Sequence, residues 1–464
     1  MPEADDLVGL GNAAIVAPAG HGKTELIANV AALGRRALVL THTHAGVHAI
    51  RARLKRLRVP HSAVAVDTIA GWSMRYAHAF PGIAQPPDGM PVGAQWDQLY
   101  RGANDTLSVA AVRQVVEASY DRILIDEYQD CNALQHELAI RLSGIVPTLI
   151  FGDPMQGIFE FAGANLSWKD LIHQHFPFAG TLEIPYRWRG KNEELGEWVA
   201  DTRTRLLRGE TIDLASGPAE YRETDNAFDM SAFFDGVDAK EGSFAAIHCN
   251  KGLCYRLASA AGGGYQAIEE VAAKRLQEFA ASWDQSEDQR IRKSAISALL
   301  NDCFRIRKLE EGEVDTPEDS AVTADINSLG AALAGGAGST AALKIFALAR
   351  KRSRYKPYRN ELWRDAERAI AEIQAERCES MTAATDRVRQ RVSMAGRKLP
   401  KRTVSTPLLL KGLEFDHVVV PDATHFSGER NAQAKLFYVA ISRATWSLTI
   451  ASSEQLLRFP IPVL

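Results

Sequence analysis

The stretch Ile15–Leu26, "IVAPAGHGKTEL", closes an apolar run ("AAIV", 13–16) and brings Gly20, Gly22, Lys23 and Thr24 together at what reads as a strand, a tight turn and a helix start. Glycines in such a turn let backbone N–H groups close on phosphate oxygens, a lysine reaches the terminal phosphates, and a neighbouring hydroxyl can hold Mg²⁺. Ala17 stands where the strict pattern has glycine. Taken alone, the stretch reads either as a phosphate cradle or as a glycine-rich surface turn.

Further along the chain, short apolar runs recur at 37–40 ("ALVL"), 63–66 ("AVAV"), 122–125 ("RILI") and 148–151 ("TLIF"), separated by helical patterns such as "THAGVHAIRARLKRLRV". Strands apolar on both faces and alternating with helices predict a parallel sheet covered on both sides, with ligands at the carboxyl ends of its strands. A second set, "FAAIH" (244–248), "HVVV" (417–420) and "SLTI" (447–450), predicts another α/β unit, interrupted by amphipathic helical patterns from about 263 to 402. "GGAGST" lacks a lysine and reads as a loop.

The chain has 464 residues, 46% hydrophobic and 24% charged, as an ordinary globular protein of several units does. Its 54 Lys and Arg against 57 Asp and Glu give a net charge of −3, so a polyanion must be held by local patches. Two basic stretches, "RKRSRYKPYR" (350–359) and "RVRQRVSMAGRKLPKR" (387–402), could supply them or be solvated helix faces. No signal-peptide pattern and no long apolar run is present, and the five scattered cysteines read as reduced thiols, which predicts a cytoplasmic protein with no membrane partner. His42, His44 and His48 cluster without a neighbouring acidic ligand, which disfavours a metal site there.

The second chemical signature is "ILIDEYQD" (123–130), with Asp126 and Glu127 at the end of an apolar strand about a hundred residues after the cradle. One carboxylate can hold the Mg²⁺ that Thr24 touches, and the other can orient and deprotonate an attacking water.

With these residues in view, a wider resemblance emerges. "DEYQD" and "IFGDPMQGIFEFAGA" (150–164) resemble motifs II and III of UvrD/Rep-type superfamily 1 helicases. In the family's order, "LTHTHAGVHAIRARL" is similar to motif Ia, "VDTIAGW" to Ib, "LEIPYRWRG" to IV, "TPLLLKGLEFDHVVV" to V and "LFYVAISRAT" to VI. The implied fold is α/β, two RecA-like P-loop NTPase domains with reduced helical insertions. The implied boundaries are 1–165 (insertion about 73–120), 166–262, a helical insertion at 263–402, and 403–464.

The resemblance implies ATP and Mg²⁺ as cofactors. Gly20, Gly22, Lys23 and Thr24 would bind phosphate, Thr24 and Asp126 the metal, and Glu414 the nucleotide ribose. Glu127 would activate water, Gln156 would sense the γ-phosphate, and Arg187 and Arg443 would neutralise charge on it from the second α/β domain. Thr43, Trp72, Phe159, Phe161 and Tyr186 would face DNA. Three departures, Ala70, Ala162 and Leu408, remove polar contacts on that DNA side, and residues 1–16 lack the glutamine that reads adenine.

The implied function is an ATP-dependent translocase or helicase on single-stranded or tailed DNA, moving 3′ to 5′. The other reading is a DNA-sensing or regulatory subunit that hydrolyses ATP without unwinding. In size and layout the chain resembles helicase-like subunits of antiphage systems such as Gabija, which implies a separate nuclease partner.

Overall fold

A computed structural model of the chain describes residues 2–88, 91, 93–158, 166–262, 264–267, 271–306, 314–352, 355–395, 400–429 and 432–464. Two six-stranded sheets of parallel strands, each flanked by helices, give the α/β class that the sequence predicts. The chain divides into two compact units, one of Met1–Glu223, Lys411–Glu414 and Ala423–Leu464, the other of Thr224–Leu410 and Phe415–Asp422.

In the first unit, β1 (Ala13–Val16), β2 (Ala37–Thr41), β3 (Val64–Thr68), β4 (Arg122–Ile125), β5 (Thr148–Gly152) and β6 (Phe178–Thr181) are ordered β3-β2-β4-β5-β1-β6. The central strands are buried on both faces because alternate residues enter opposite cores. Ala14, Leu38, Ile123 and Ile150 pack into one layer, and Ile15, Val39, Leu124 and Phe151 into the other. Parallel pairing sends every loop after a strand to the same sheet edge, which is where the cradle and "DEYQD" meet. The same unit contains the helix Glu193–Arg208 and the helix Gln433–Ile441, with the strand Ala444–Ser452 paired in parallel to Glu220–Glu223.

In the second unit, Phe244–Ile247 pairs in parallel with Arg402–Ser405 and Phe415–Val420, and Gln266–Ala267 lies outside Arg402–Ser405. Its helices bury a core of their own, in which Trp363 stacks on Phe346 with ring centroids 3.8 Å apart. Much of the basic stretch 350–359 is tied to this unit. Arg350 pairs with Glu367 at 3.0 Å, Arg352 bonds Thr323 and Tyr355, and buried Arg359 donates to the Asp302 carbonyl. Among the described residues, no helix is long and apolar enough to cross a membrane.

Candidate active site

The cradle is built by two residues in left-handed backbone, Gly20 (φ 77°) and Gly22 (φ 82°). A Cβ on Gly20 would come 2.7 Å from Arg187 Cβ and the Trp188 ring, and one on Gly22 would come 3.0 Å from the Tyr186 ring. Only glycine fits there without displacing those side chains. Gly22 caps the helix Lys23–Leu33 with no side-chain acceptor, so the first N–H groups of that helix stay available to an anion. Ala17 is buried and donates to the Gly152 carbonyl at 2.8 Å, a packing place that an alanine fills.

β4 delivers the two carboxylates. Asp126 donates its N–H to the Leu40 carbonyl at 2.8 Å, and Glu127 follows in left-handed backbone (φ 56°), a conformation uncommon for a residue with a side chain. Lys23 Nζ lies 2.8 Å from Asp126 Oδ1 and 2.5 Å from Glu127 Oε1. Burial opposes charge on Lys23, but the two carboxylates outweigh it and hold the ammonium above its ordinary range. Burial likewise opposes charge on Glu127, and Lys23 and then Lys411 outweigh it, so this carboxylate is held well below its usual range. Asp126 moves the other way, because its burial is only partly offset by Lys23.

Gln129 Nε2 donates to Glu127 Oε2 at 2.6 Å, and Gln129 Oε1 accepts from the Asp153 N–H at 3.0 Å. After β5, Gln156 donates to Asp153 Oδ2 at 3.2 Å and accepts from Arg443 Nη2 at 3.4 Å. Lys411 Nζ bridges Asp130 Oδ1 at 2.5 Å and the Gln156 carbonyl at 2.6 Å. Arg443 is 1% exposed and its pKa is lowered to about 9, first by burial and then by Arg187. It remains cationic at neutral pH. Arg187 Nε lies 3.1 Å from Glu414 Oε2, and its N–H donates to the Gly20 carbonyl at 2.9 Å.

These groups surround one cavity of about 1040 Å³, lined among others by Gly20, Gly22, Lys23, Thr24, Glu127, Gln156, Tyr186, Arg187, Glu414 and Arg443. Backbone donors, the Lys23 ammonium and the Arg187 and Arg443 guanidiniums face a partly open volume, and carboxylate and hydroxyl oxygens stand beside them. That donor set fits a triphosphate with a hard divalent cation. Arg187, Glu414 and Arg443 belong to the same compact unit as the cradle.

The residues expected to face DNA fare differently. Trp72 is fully buried and stacks on Tyr76 at 4.0 Å between ring centroids, so it offers no face to a base and serves the core. Tyr186, 41% exposed, stands against Gly22 at the rim of the cavity and is thus a candidate for the nucleotide side. Thr43 is exposed and caps the helix His44–Arg56, accepting from the Gly46 N–H at 3.0 Å. Phe159 and Phe161, with Ala162, lie outside the described residues. Half-buried His42 sits 3.5 Å from Cys131 Sγ and is pushed down to about 4 by burial, while His44 and His48 join no cluster of three metal-ligating side chains among the described residues.

Several contributors escaped the reading of the sequence. Lys411 and Tyr438 lie inside quoted motifs but carried no assigned role; the Tyr438 hydroxyl accepts from the Ala19 N–H of the cradle at 2.9 Å. Arg203 has no motif around it at all.

Cradle, carboxylates and arginines on a parallel sheet define a P-loop nucleotide-binding protein in class. Residues 94–177 match the UvrD/REP helicase N-terminal domain family. The chain is similar to the RecBCD enzyme subunit RecB of Buchnera aphidicola (29% identity, 20% of this chain, 8% of the relative). It is also similar to an ATP-dependent helicase/nuclease subunit of Oenococcus oeni (28%, 26% and 10%). The chain thus spans about a tenth of the length of these curated relatives. A solved complex of Arterivirus nonstructural protein 10, a helicase, with DNA matches 53% of this chain and 49% of that one at 12% identity and a TM-score of 0.27. The family match and the two curated relatives agree with the UvrD-like superfamily 1 resemblance that the motifs carry.

Proposed function

We propose that this chain is an ATP-hydrolysing motor of UvrD type that acts on single-stranded or tailed DNA. The observation that carries the reading is the convergence of Lys23, Glu127, Gln156, Arg187 and Arg443 on one cavity. Gly20, Gly22 and the open start of the helix Lys23–Leu33 bind phosphate oxygens, and Lys23 turns from its carboxylates to the terminal phosphates. Thr24 and Asp126 would hold Mg²⁺, which when bound supplies charge neutralisation along the phosphates. Glu127, held ionised by Lys23 and Lys411, can orient a water and take its proton. Gln156 and the two guanidiniums stand ready for charge that develops at the terminal phosphate. Tyr186 offers a ring for the base and Glu414 a carboxylate for the ribose.

Movement from 3′ to 5′, action beside a separate nuclease in phage defence or DNA repair, and a cytoplasmic setting complete the proposal, on the strength of the UvrD-like resemblance. The test is ATPase and strand displacement on single-stranded, 3′-tailed and 5′-tailed DNA, with Lys23→Ala as control. DNA-stimulated hydrolysis and opening of the 3′-tailed duplex are expected. Hydrolysis with no opening of either duplex, and no protein stripped from single strands, assigns the regulatory reading instead.

A further inference from the structure

The helix Glu193–Arg208 carries no helicase motif, yet one of its side chains reaches the centre of the site. Arg203 Nη2 donates to Asp153 Oδ1 at 2.8 Å, fifty residues earlier in the chain, and both side chains are largely withdrawn from solvent, at 12% and 1% exposure. Asp153 is a junction. Its Oδ1 also accepts from the Met155 N–H, its Oδ2 accepts from Gln156 Nε2, and its own N–H reaches Gln129, the partner of Glu127. The Arg203 guanidinium also lies 5.9 Å from the ring centroid of Tyr438, whose hydroxyl holds the Ala19 N–H of the cradle.

A buried carboxylate with a cation on one oxygen and Gln156 on the other has a fixed orientation. Lysine would supply the charge but not the planar fork that lets one guanidinium meet Asp153 while lying along the Tyr438 ring.

We infer that Arg203 is a positioning residue for hydrolysis, setting Gln156 through Asp153. The inference rests on the reading that Gln156 acts at the terminal phosphate. A displacement of about 1 Å at a reacting centre lowers rate by about 100-fold.

The experiment is a double-mutant cycle in the full chain, with kcat and KM for ATP measured for wild type, Gln156→Ala, Arg203→Lys and the double variant. Arg203→Lys is expected to lower kcat by about 10- to 100-fold with KM changed less than about 3-fold. Added to Gln156→Ala, it is expected to cost less than about 3-fold more, because both changes act through one group. Where the lysine variant does not fold, Arg203→Gln, which keeps a donor for Asp153, carries the same cycle. Losses that multiply, or an Arg203→Lys rate within about 2-fold of wild type, overturn the inference alone. A Gln156→Ala protein as active as wild type removes the reading of Gln156, and the inference with it.

Discussion

Arg443 and Gly20 show what single residues are asked to do. Arg443 is buried, gives Nε to the Val439 carbonyl and Nη1 to the Leu413 carbonyl, and shares Nη2 between Ser442 Oγ at 2.8 Å and Gln156 Oε1 at 3.4 Å. Arg443→Lys loses that fork, so kcat for ATP should fall by about 10³-fold, as arginine fingers do, with KM little changed. Steady-state kinetics checks this. Gly20→Ala forces a Cβ to 2.7 Å from Arg187 and Trp188 in left-handed backbone. Its cost should be about 1–3 kcal/mol of stability together with loss of ATP affinity, read by thermal melting and nucleotide titration. Trp72→Ala should destabilise the fold by about 3–5 kcal/mol, because Trp72 fills the core, and should leave DNA affinity per folded molecule unchanged.

At the level of elements, residues 2–5, which lead into the short helix Ala4–Val8, form a wall of the cavity. A five-residue helix does not persist by itself. It is held by Arg122, whose guanidinium caps the carbonyls of Leu7, Val8 and Leu10. Arg122→Ala should therefore raise KM for ATP by about 3- to 10-fold with kcat nearly intact, since about one kcal/mol of cap is at stake and no reacting group moves. An equal fall in kcat would contradict it.

Elements were legible in the sequence where burial wrote a pattern. β1, β2, β4 and β5 read as apolar runs because both their faces are covered. β6, "FAGT", is half exposed and left no run, and the same holds for Glu220–Glu223. The cradle and "DEYQD" were legible because backbone geometry and metal chemistry demand fixed local spacing. Arg203 was not, because its partner is fifty residues away and no local pattern records that pairing. The burial of Trp72 was not legible for a related reason: an aromatic in a motif does not announce which side of the element it faces.

For the whole molecule, acid stability follows from buried groups. His136 is 4% exposed, bonded through Nδ1 to the Tyr128 hydroxyl at 2.7 Å and faced by His175 and Phe176. Burial, then His175, lowers its pKa from 6.5 to about 4. The unfolded chain takes up this proton first, so stability is held above pH 6.5 and lost as pH falls from 6.5 toward 4. Asp130, raised to about 6 chiefly by burial, acts in the opposite sense over part of that range. The difference in melting temperature between wild type and His136→Gln isolates the histidine and should narrow as pH falls through this window. A constant difference would contradict it.

The proposed function requires one cavity in the first unit to hydrolyse ATP under the control of DNA. Hydrolysis by the purified chain, with and without single-stranded DNA, for wild type and Glu127→Gln, tests it most directly. DNA-stimulated turnover is expected in wild type, with a loss of about 100-fold or more in the variant and ATP still bound. Turnover that ignores DNA, or a Glu127→Gln protein that hydrolyses at the wild-type rate, would contradict it.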